Sequence, residues 1–277
     1  MSDDSVYVMG RSDAETERLR AQSMLFDPTT RRLFEQAGIS TGMKVLDVGS
    51  GGGDVALLLA DLVGPTGQVI GVDCHDAILE KARARTRQLG FDHVSFLQGD
   101  IRTIALDDDF DAVVGRLVLT YIPEPARWVR HLAAHVRPNG IVAFQDIEWS
   151  IGPVAFPPSS LLSRVWDWAP PAFERAGLET RMGLKLFRAF VDAGLPAPRM
   201  HVEAPAGGGT DWAGYEYIAA GLRSMLPVIE RFELASAADV GIETFAARLR
   251  DETLAQHGVL MLPPFVSAWS RVAGSSL

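Results

Sequence analysis

Cysteine is nearly missing: a single residue, Cys74, in 277. That leaves no internal disulfide and no thiolate-built zinc centre, and it fits a reducing cytoplasm. Positive charge is short as well. Lys and Arg number 26 against 35 Asp and Glu, a formal net charge of -9, so a sequence-independent grip on nucleic acid is not expected. The arginines of Arg83-Ala84-Arg85 are expected on a solvated helix face. No uncharged apolar run reaches the roughly 18 residues of a membrane span. The start, Met1-Ser2-Asp3-Asp4, is acidic and lacks the apolar stretch of a secretory leader. These absences predict a soluble, cytoplasmic monomer or homodimer with neither a membrane nor a nucleic-acid partner. What is present is 47% apolar and 22% charged residues, ordinary for a core-forming chain, in a length that permits one large domain or one domain with a sizeable elaboration.

The chain is arranged around Lys44 to Gly53, K-V-L-D-V-G-S-G-G-G. An apolar run carrying one acid, Asp47, breaks into glycines at 49, 51, 52 and 53, and Asp54 then opens an apolar segment to Val63. The pattern is that of a buried strand, a turn whose backbone must approach something closely, and a helix packed back on the strand. Two cofactor classes use such a unit. The nicotinamide fingerprint Gly-x-Gly-x-x-Gly sets a phosphate on the helix N-terminus, but here the third glycine position is Asp54, whose carboxylate repels a pyrophosphate. S-adenosylmethionine carries a sulfonium and an amino group instead, and acids on both sides of the glycines suit cationic groups.

Asp47-Val48-Gly49-Ser50-Gly51-Gly52-Gly53 resembles motif I of the class I S-adenosylmethionine-dependent methyltransferases, and Tyr7-x-x-Gly10 followed by Glu17-Arg18-Leu19-Arg20-Ala21-Gln22 resembles a bacterial branch of that family acting on small molecules. Gln68 to Asp73 reads as a second strand ending in an acid that can accept from both ribose hydroxyls. The resemblance implies a seven-stranded, mostly parallel Rossmann-like sheet, strand seven antiparallel, with helices on both faces. It also implies S-adenosyl-L-methionine as cofactor. The contacts it implies are Asp47, Gly49, Ser50, Gly51, Asp73, Cys74, Asp100, Ile101, Arg116 and Leu117, with Arg18 and Gln22 from an N-terminal arm that closes over the cofactor. Several of these have plainer alternatives: Arg18 as a surface residue, Asp100 as a turn cap, and Arg116 in a buried pair with Asp47 or Asp146.

In order, the expected organisation is an N-terminal helical cover at 1–40, a core at 41–204 with a helical insertion at about 151–180, a helical lid at 205–264 and the last core strand at 265–277. The cover is expected as two helices, one capped at Ser12 and a second after a break at Asp27-Pro28-Thr29-Thr30. The insertion helix is expected to break at Pro170-Pro171, and the strand before Asp146 to begin at Ile141 after an Arg137–Gly140 turn. His131 and His135 share the i, i+4 spacing of a metal pair, but no third ligand accompanies them and no metal is expected. Gly207-Gly208-Gly209 is expected as a hinge, followed by an aromatic stripe.

Methyl transfer is an in-line displacement on a sulfonium methyl, aided by alignment and a dry site. An oxygen acceptor needs a base; Asp146, Glu148, Tyr121 and Tyr7 are the candidates. Asp146 and Glu148 can equally bind a basic substrate or cap a turn. Tyr7, Trp149, Trp166, Trp212, Tyr215 and Met225 are expected to meet a small aromatic or ring-containing acceptor, or else to be plain packing. The acceptor atom is left open among O, N and C. The rival functions are a non-catalytic domain that holds S-adenosylmethionine, and an NAD(P)-dependent oxidoreductase.

Overall fold

The structure, a computed structural model, describes residues 13–274 except 103, 105, 107, 108 and 153, with side chains described from Gln22 onward apart from Met24. Tyr7 and the Ser12 cap therefore lie outside the described residues, as does the side chain of Arg18. The chain divides into two compact units: 27–146, 182–202 and 265–277 form one, and 1–26, 147–181 and 203–264 form the other.

The first unit is built on strands β1 (Lys44–Val48), β2 (Gln68–Asp73), β3 (Val94–Gln98), β4 (Phe110–Arg116), β5 (Val136–Ile147), β7 (Arg199–Glu203) and β10 (Phe265–Arg271). Their order is β3-β2-β1-β4-β5-β10-β7, and the last strand, β10, is the antiparallel one. Successive residues of a strand face opposite sides. Both sides are buried here: Leu46, Val48 and Val113 enter one core cluster, Val45, Ala112 and Val114 the other. That explains why the strands read as continuous apolar runs rather than alternating ones. Helices α4 (Pro125–Ala133) and α6 (Met182–Asp192) cover the first face; α2 (Asp54–Val63), α3 (Asp76–Leu89) and the end of α1 (Asp13–Ala37) cover the second.

Three local expectations are corrected. Helix α1 runs unbroken through Pro28. A proline inside a helix costs about 3 kcal/mol, and here the following turns are held by buried Leu33 and Phe34 and by Thr30, whose hydroxyl donates to Gln145 Oε1 at 2.7 Å. Strand β5 begins at Val136, not Ile141. The Arg137–Gly140 stretch is a bulge within it, its register against β4 jumping between Phe110 and Ala112, and Asn139 takes the expected left-handed conformation at φ 63°. His135 lies beyond the end of α4, with its ring edge-on to His131 at 5.2 Å.

The second unit holds α5 (Ser160–Arg175), α7 (Gly214–Arg231), α8 (Ala237–Val240) and α9 (Phe245–Ala255), together with a small sheet in the order β6-β9-β8 (Val154–Phe156, Val259–Met261, Ala206–Gly207). The expected break at Pro170-Pro171 does not occur. Ser159 caps α5 by accepting from Leu162 N, and a buried face of Val165, Trp168, Ala169, Ala172 and Phe173 carries the helix past both prolines. The glycine run is not a free hinge. A Cβ at Gly207 would lie 2.3 Å from the Trp212 ring, and one at Gly208 would lie 2.0 Å from the Gly258 carbonyl. Those two glycines are there for close packing.

Candidate functional site

The pairing of β1, β2, β3, β4 and β5 sets their carboxyl ends level: Val48 faces Val72 and Gly115, Asp73 faces Gln98, and Arg116 faces Gln145. The residues leaving those ends share one rim, namely the glycine loop after β1, Asp73-Cys74, Asp100-Ile101, Leu117 and Asp146. Strand order reverses between β1 and β4, the place where an open parallel sheet leaves a crevice. The backbone is strained there: Leu117 sits at φ 59° while its N–H donates to the Gln145 carbonyl at 2.8 Å.

The glycines of the loop differ in what they make room for. At Gly49 a Cβ would lie 2.8 Å from Val118, so this position is closed by packing. At Gly51, with φ 49°, a Cβ would meet nothing nearer than 4.0 Å. That backbone is left bare. Gly51 N–H donates to Asp73 Oδ2 at 3.0 Å, and His75 N–H donates to Oδ1 at 3.0 Å. The carboxylate is thus fixed while each oxygen keeps a lone pair for a further donor. Asp47 is 1% exposed and its Oδ2 has no hydrogen-bond partner among the described residues. Burial pushes it up to about 8; the Arg116 charge opposes that rise, and Asp73 and Asp54 add to it. The Ser50 hydroxyl is likewise buried and unpartnered. Buried polar atoms left open beside a bare backbone mark the place of a polar ligand.

Arg85 braces this loop from outside. Its guanidinium donates to the Gly52 carbonyl at 2.6 Å and pairs with Asp54 at 2.7 Å. Arg83 pairs with Asp76 and Glu80 and donates to the Phe96 carbonyl. The arginine face is solvated as expected, with Arg85 exposed, and both side chains also hold ion pairs on it. Asp54, 8% exposed in the first turn of α2, complements the helix dipole and is matched by Arg85. Replacing Arg85 by alanine removes a charge-assisted hydrogen bond and leaves a buried carboxylate unmatched. Cofactor affinity, read by calorimetry, should fall about three- to tenfold, with a lower melting temperature.

The other expected contacts fall as follows. Arg116 pairs with Asp27 at 2.8 Å and donates to Thr30 Oγ1 at 3.2 Å, rather than pairing with Asp47 or Asp146. Asp100 caps its own turn: it accepts from Arg102 N and Nε, which holds it below the usual carboxylate range. Ile101 packs on the core. Cys74 is exposed at the rim, its thiol pushed up by burial and by Asp73. Asp73, Cys74 and His75 bring a carboxylate, a thiol and an imidazole within 4.8 Å of one another. Gln22 is buried, Asp146 is 1% exposed, and Tyr121 ends a short 3₁₀ turn, Leu119–Tyr121. Asp27, Arg85 and Arg102 were not foreseen. Asp27-Pro28 looks like a break, and nothing in the pattern around Arg85 or Arg102 marks their partners.

In the second unit, Glu148 is fully buried and accepts from the Ser150 N–H at 3.1 Å and from the Ser150 hydroxyl. Trp149 packs on Trp166 and Phe173, with ring centroids 5.6 and 5.2 Å apart. Trp149, Trp166 and Met225 line one cavity between α5 and α7. Trp212 and Tyr215 do not. They form an edge-to-face pair at 5.1 Å, with the Trp212 indole filling the space over Gly207 and Gly214.

A parallel sheet in this order, with its antiparallel last strand and a bare glycine loop at the switch point, defines a class I methyltransferase fold. Residues 39–165 match a family described as a methyltransferase domain. It is 31% identical over 139 residues to the ubiquinone/menaquinone biosynthesis C-methyltransferase UbiE of Pseudomonas putida, which covers 50% of this chain and 52% of that protein. It is 35% identical over 112 residues to an arsenite methyltransferase of Halobacterium salinarum, 40% of this chain and 29% of that one. The chain thus spans about half or less of the length of these curated relatives. A Bacillus halodurans structure solved as a candidate methyltransferase superposes with a TM-score of 0.57 at 17% identity, covering 87% of this chain and 97% of that chain; it shares the fold. The open Asp47 and Ser50 atoms with the bare Gly51 backbone fit S-adenosylmethionine, the cofactor that the resemblance implies.

Proposed function

We propose that the protein is a methyltransferase that moves a methyl group from S-adenosylmethionine to a small, ring-containing acceptor at O, N or C, in the cytoplasm. The observation that carries this is the crevice itself, where a bare Gly51 backbone lies beside a fixed Asp73 and a buried Asp47 with one oxygen left open. When bound, the cofactor supplies an electrophilic methyl on a sulfonium. The chain supplies the rest. Asp47 meets a cationic group, Asp73 accepts from the ribose hydroxyls, and Arg116, held by Asp27, keeps a positive charge at the end of β4. Of the two carboxylates proposed as base, Glu148 is engaged by Ser150. Asp146, on β5 at the rim of the carboxyl ends, is our choice to take the proton of an oxygen acceptor.

Parallel calorimetric titrations with S-adenosylhomocysteine and NADH test the cofactor. Binding of the first in the micromolar range with none of the second is expected, and tight binding of NADH alone would overturn the proposal. Turnover is then read with methyl-labelled cofactor against metabolite extracts. Label retained on the cofactor across broad extracts would point to a domain that holds the ligand without using it.

A further inference from the structure

The second unit contains a cavity whose chemistry narrows the acceptor further. It lies between α5 and α7 and is closed by Trp149 and by Met261 to Pro263. No charged side chain is among its lining residues. An ammonium or carboxylate group entering it would lose its hydration without a counter-charge. The walls are aromatic and tilted: the Trp149 and Trp166 planes meet at 46°, and those of Trp149 and Phe173 at 53°, leaving faces and edges for another ring.

Two further features go beyond apolar packing. The indole N–H of Trp166 is buried with no hydrogen-bond partner among the described residues, although buried donors are nearly always paired. Gly221, on the cavity wall in the interior of α7, has nothing within 4 Å of where a Cβ would stand. Glycine inside a helix is unfavourable relative to alanine, and no neighbour requires it here. The position is kept small toward empty space. As it stands, the cavity measures about 60 Å³, less than a bicyclic ring needs. Met225 and Met261, both on the wall, have unbranched, adaptable side chains that can give way.

We propose that this cavity binds a neutral, flat ring carrying a hydrogen-bond-accepting oxygen, with the oxygen on Trp166 Nε1 and the ring over Gly221. That this ring is the methyl acceptor rests on the function proposed above. An unpartnered N–H donor on a wall residue disfavours a cation, which sets a quaternary ammonium ligand aside despite the aromatic walls. A trivalent arsenical calls for soft thiolate ligands, and no cysteine is among the lining residues of this cavity.

The test uses quenching of tryptophan fluorescence in the full chain by four probes: 2-naphthol, naphthalene, 2-naphthoate and choline. Saturable binding of 2-naphthol is expected, with naphthalene about five- to tenfold weaker for want of the hydrogen bond. The two charged probes should be at least about 50-fold weaker. Trp166→Phe keeps a ring and removes the donor, so it should bring 2-naphthol down to the level of naphthalene. Gly221→Leu fills the space with a better helix former and should abolish binding of both. Melting temperature and S-adenosylhomocysteine affinity, unchanged in both variants, report that the fold is intact. Should either variant fail to fold, the four-probe ranking on the wild-type chain still decides. No saturable binding of 2-naphthol, choline or 2-naphthoate binding as well as 2-naphthol, or 2-naphthol binding undiminished in a folded Gly221→Leu variant would overturn the proposal. Ring binding without any S-adenosylhomocysteine binding would instead overturn the methyltransferase function and leave the ring site standing.

Discussion

Valine in place of Gly51 should lower the affinity for S-adenosylhomocysteine at least about 100-fold, or about 2.7 kcal/mol, while costing only a few degrees of melting temperature. The two effects separate because the empty space beside Gly51 is not packing space: a Cβ there meets nothing nearer than 4.0 Å. A Cβ adds no clash within the protein, and the side chain it carries occupies the surface a nucleoside would lie on. The stability cost comes from φ 49°, a left-handed conformation that an L-residue adopts at about 1–2 kcal/mol. Gly90 supplies the control. It ends α3 at φ 74° with nothing within 4 Å, so Gly90→Val carries a similar backbone penalty and should leave cofactor affinity unchanged. Calorimetry and thermal melts on the pair decide the matter. If both variants bind S-adenosylhomocysteine like the wild-type protein, the ligand does not lie on the loop after β1.

The core was legible because its signals are local. A buried parallel strand is a short apolar run, and the loop after β1 announces itself by glycines. Asp47 and Asp73 could be set on strands β1 and β2 because one precedes those glycines and the other closes the next apolar run. The misplaced features depend on partners far away in the chain. Pro28, Pro170 and Pro171 look like helix ends, yet buried residues on either side outweigh the lost backbone bond. Arg116 reads as a cofactor contact, or else as half of a buried pair with Asp47 or Asp146, but its partner, Asp27, is 89 residues away, inside what looks like a break between two helices. Arg85 reaches back 33 residues to the Gly52 carbonyl, a contact that no helix periodicity encodes. Trp149, Trp166 and Met225 were picked from an aromatic count, which cannot separate them from Trp212 and Tyr215. Only the packing of Trp212 over Gly207 does that.

Cofactor binding should be strongly pH-dependent, and Asp47 is the group responsible. Its carboxyl rises from 3.8 to about 8 because burial disfavours the charge, an effect that Arg116 only partly offsets and that Asp73 and Asp54 reinforce. The folded protein therefore holds this proton more tightly than the unfolded chain does. The stability it contributes is complete below the unfolded value of 3.8 and is lost progressively as pH rises to about 8. Asp47→Asn, which cannot ionise, should melt alongside the wild-type protein at pH 4 and gain on it steadily toward pH 8. Binding runs the other way. The ammonium or sulfonium of the cofactor favours the carboxylate, so the ligand must draw out the proton that burial retains. Affinity for S-adenosylhomocysteine should climb up to about tenfold per pH unit from pH 6 and flatten near pH 8, with close to one proton released at pH 7. Calorimetry in two buffers of different ionisation enthalpy measures that proton directly. Asp47→Asn should bind more weakly, with a flat profile and no release. If wild type and variant share the same pH slope, the proton comes from another group and Asp47 is only a buried acid of the core. A variant that gains stability at pH 8 while losing affinity there would show that this carboxylate is held against its own preference for the sake of a cationic ligand.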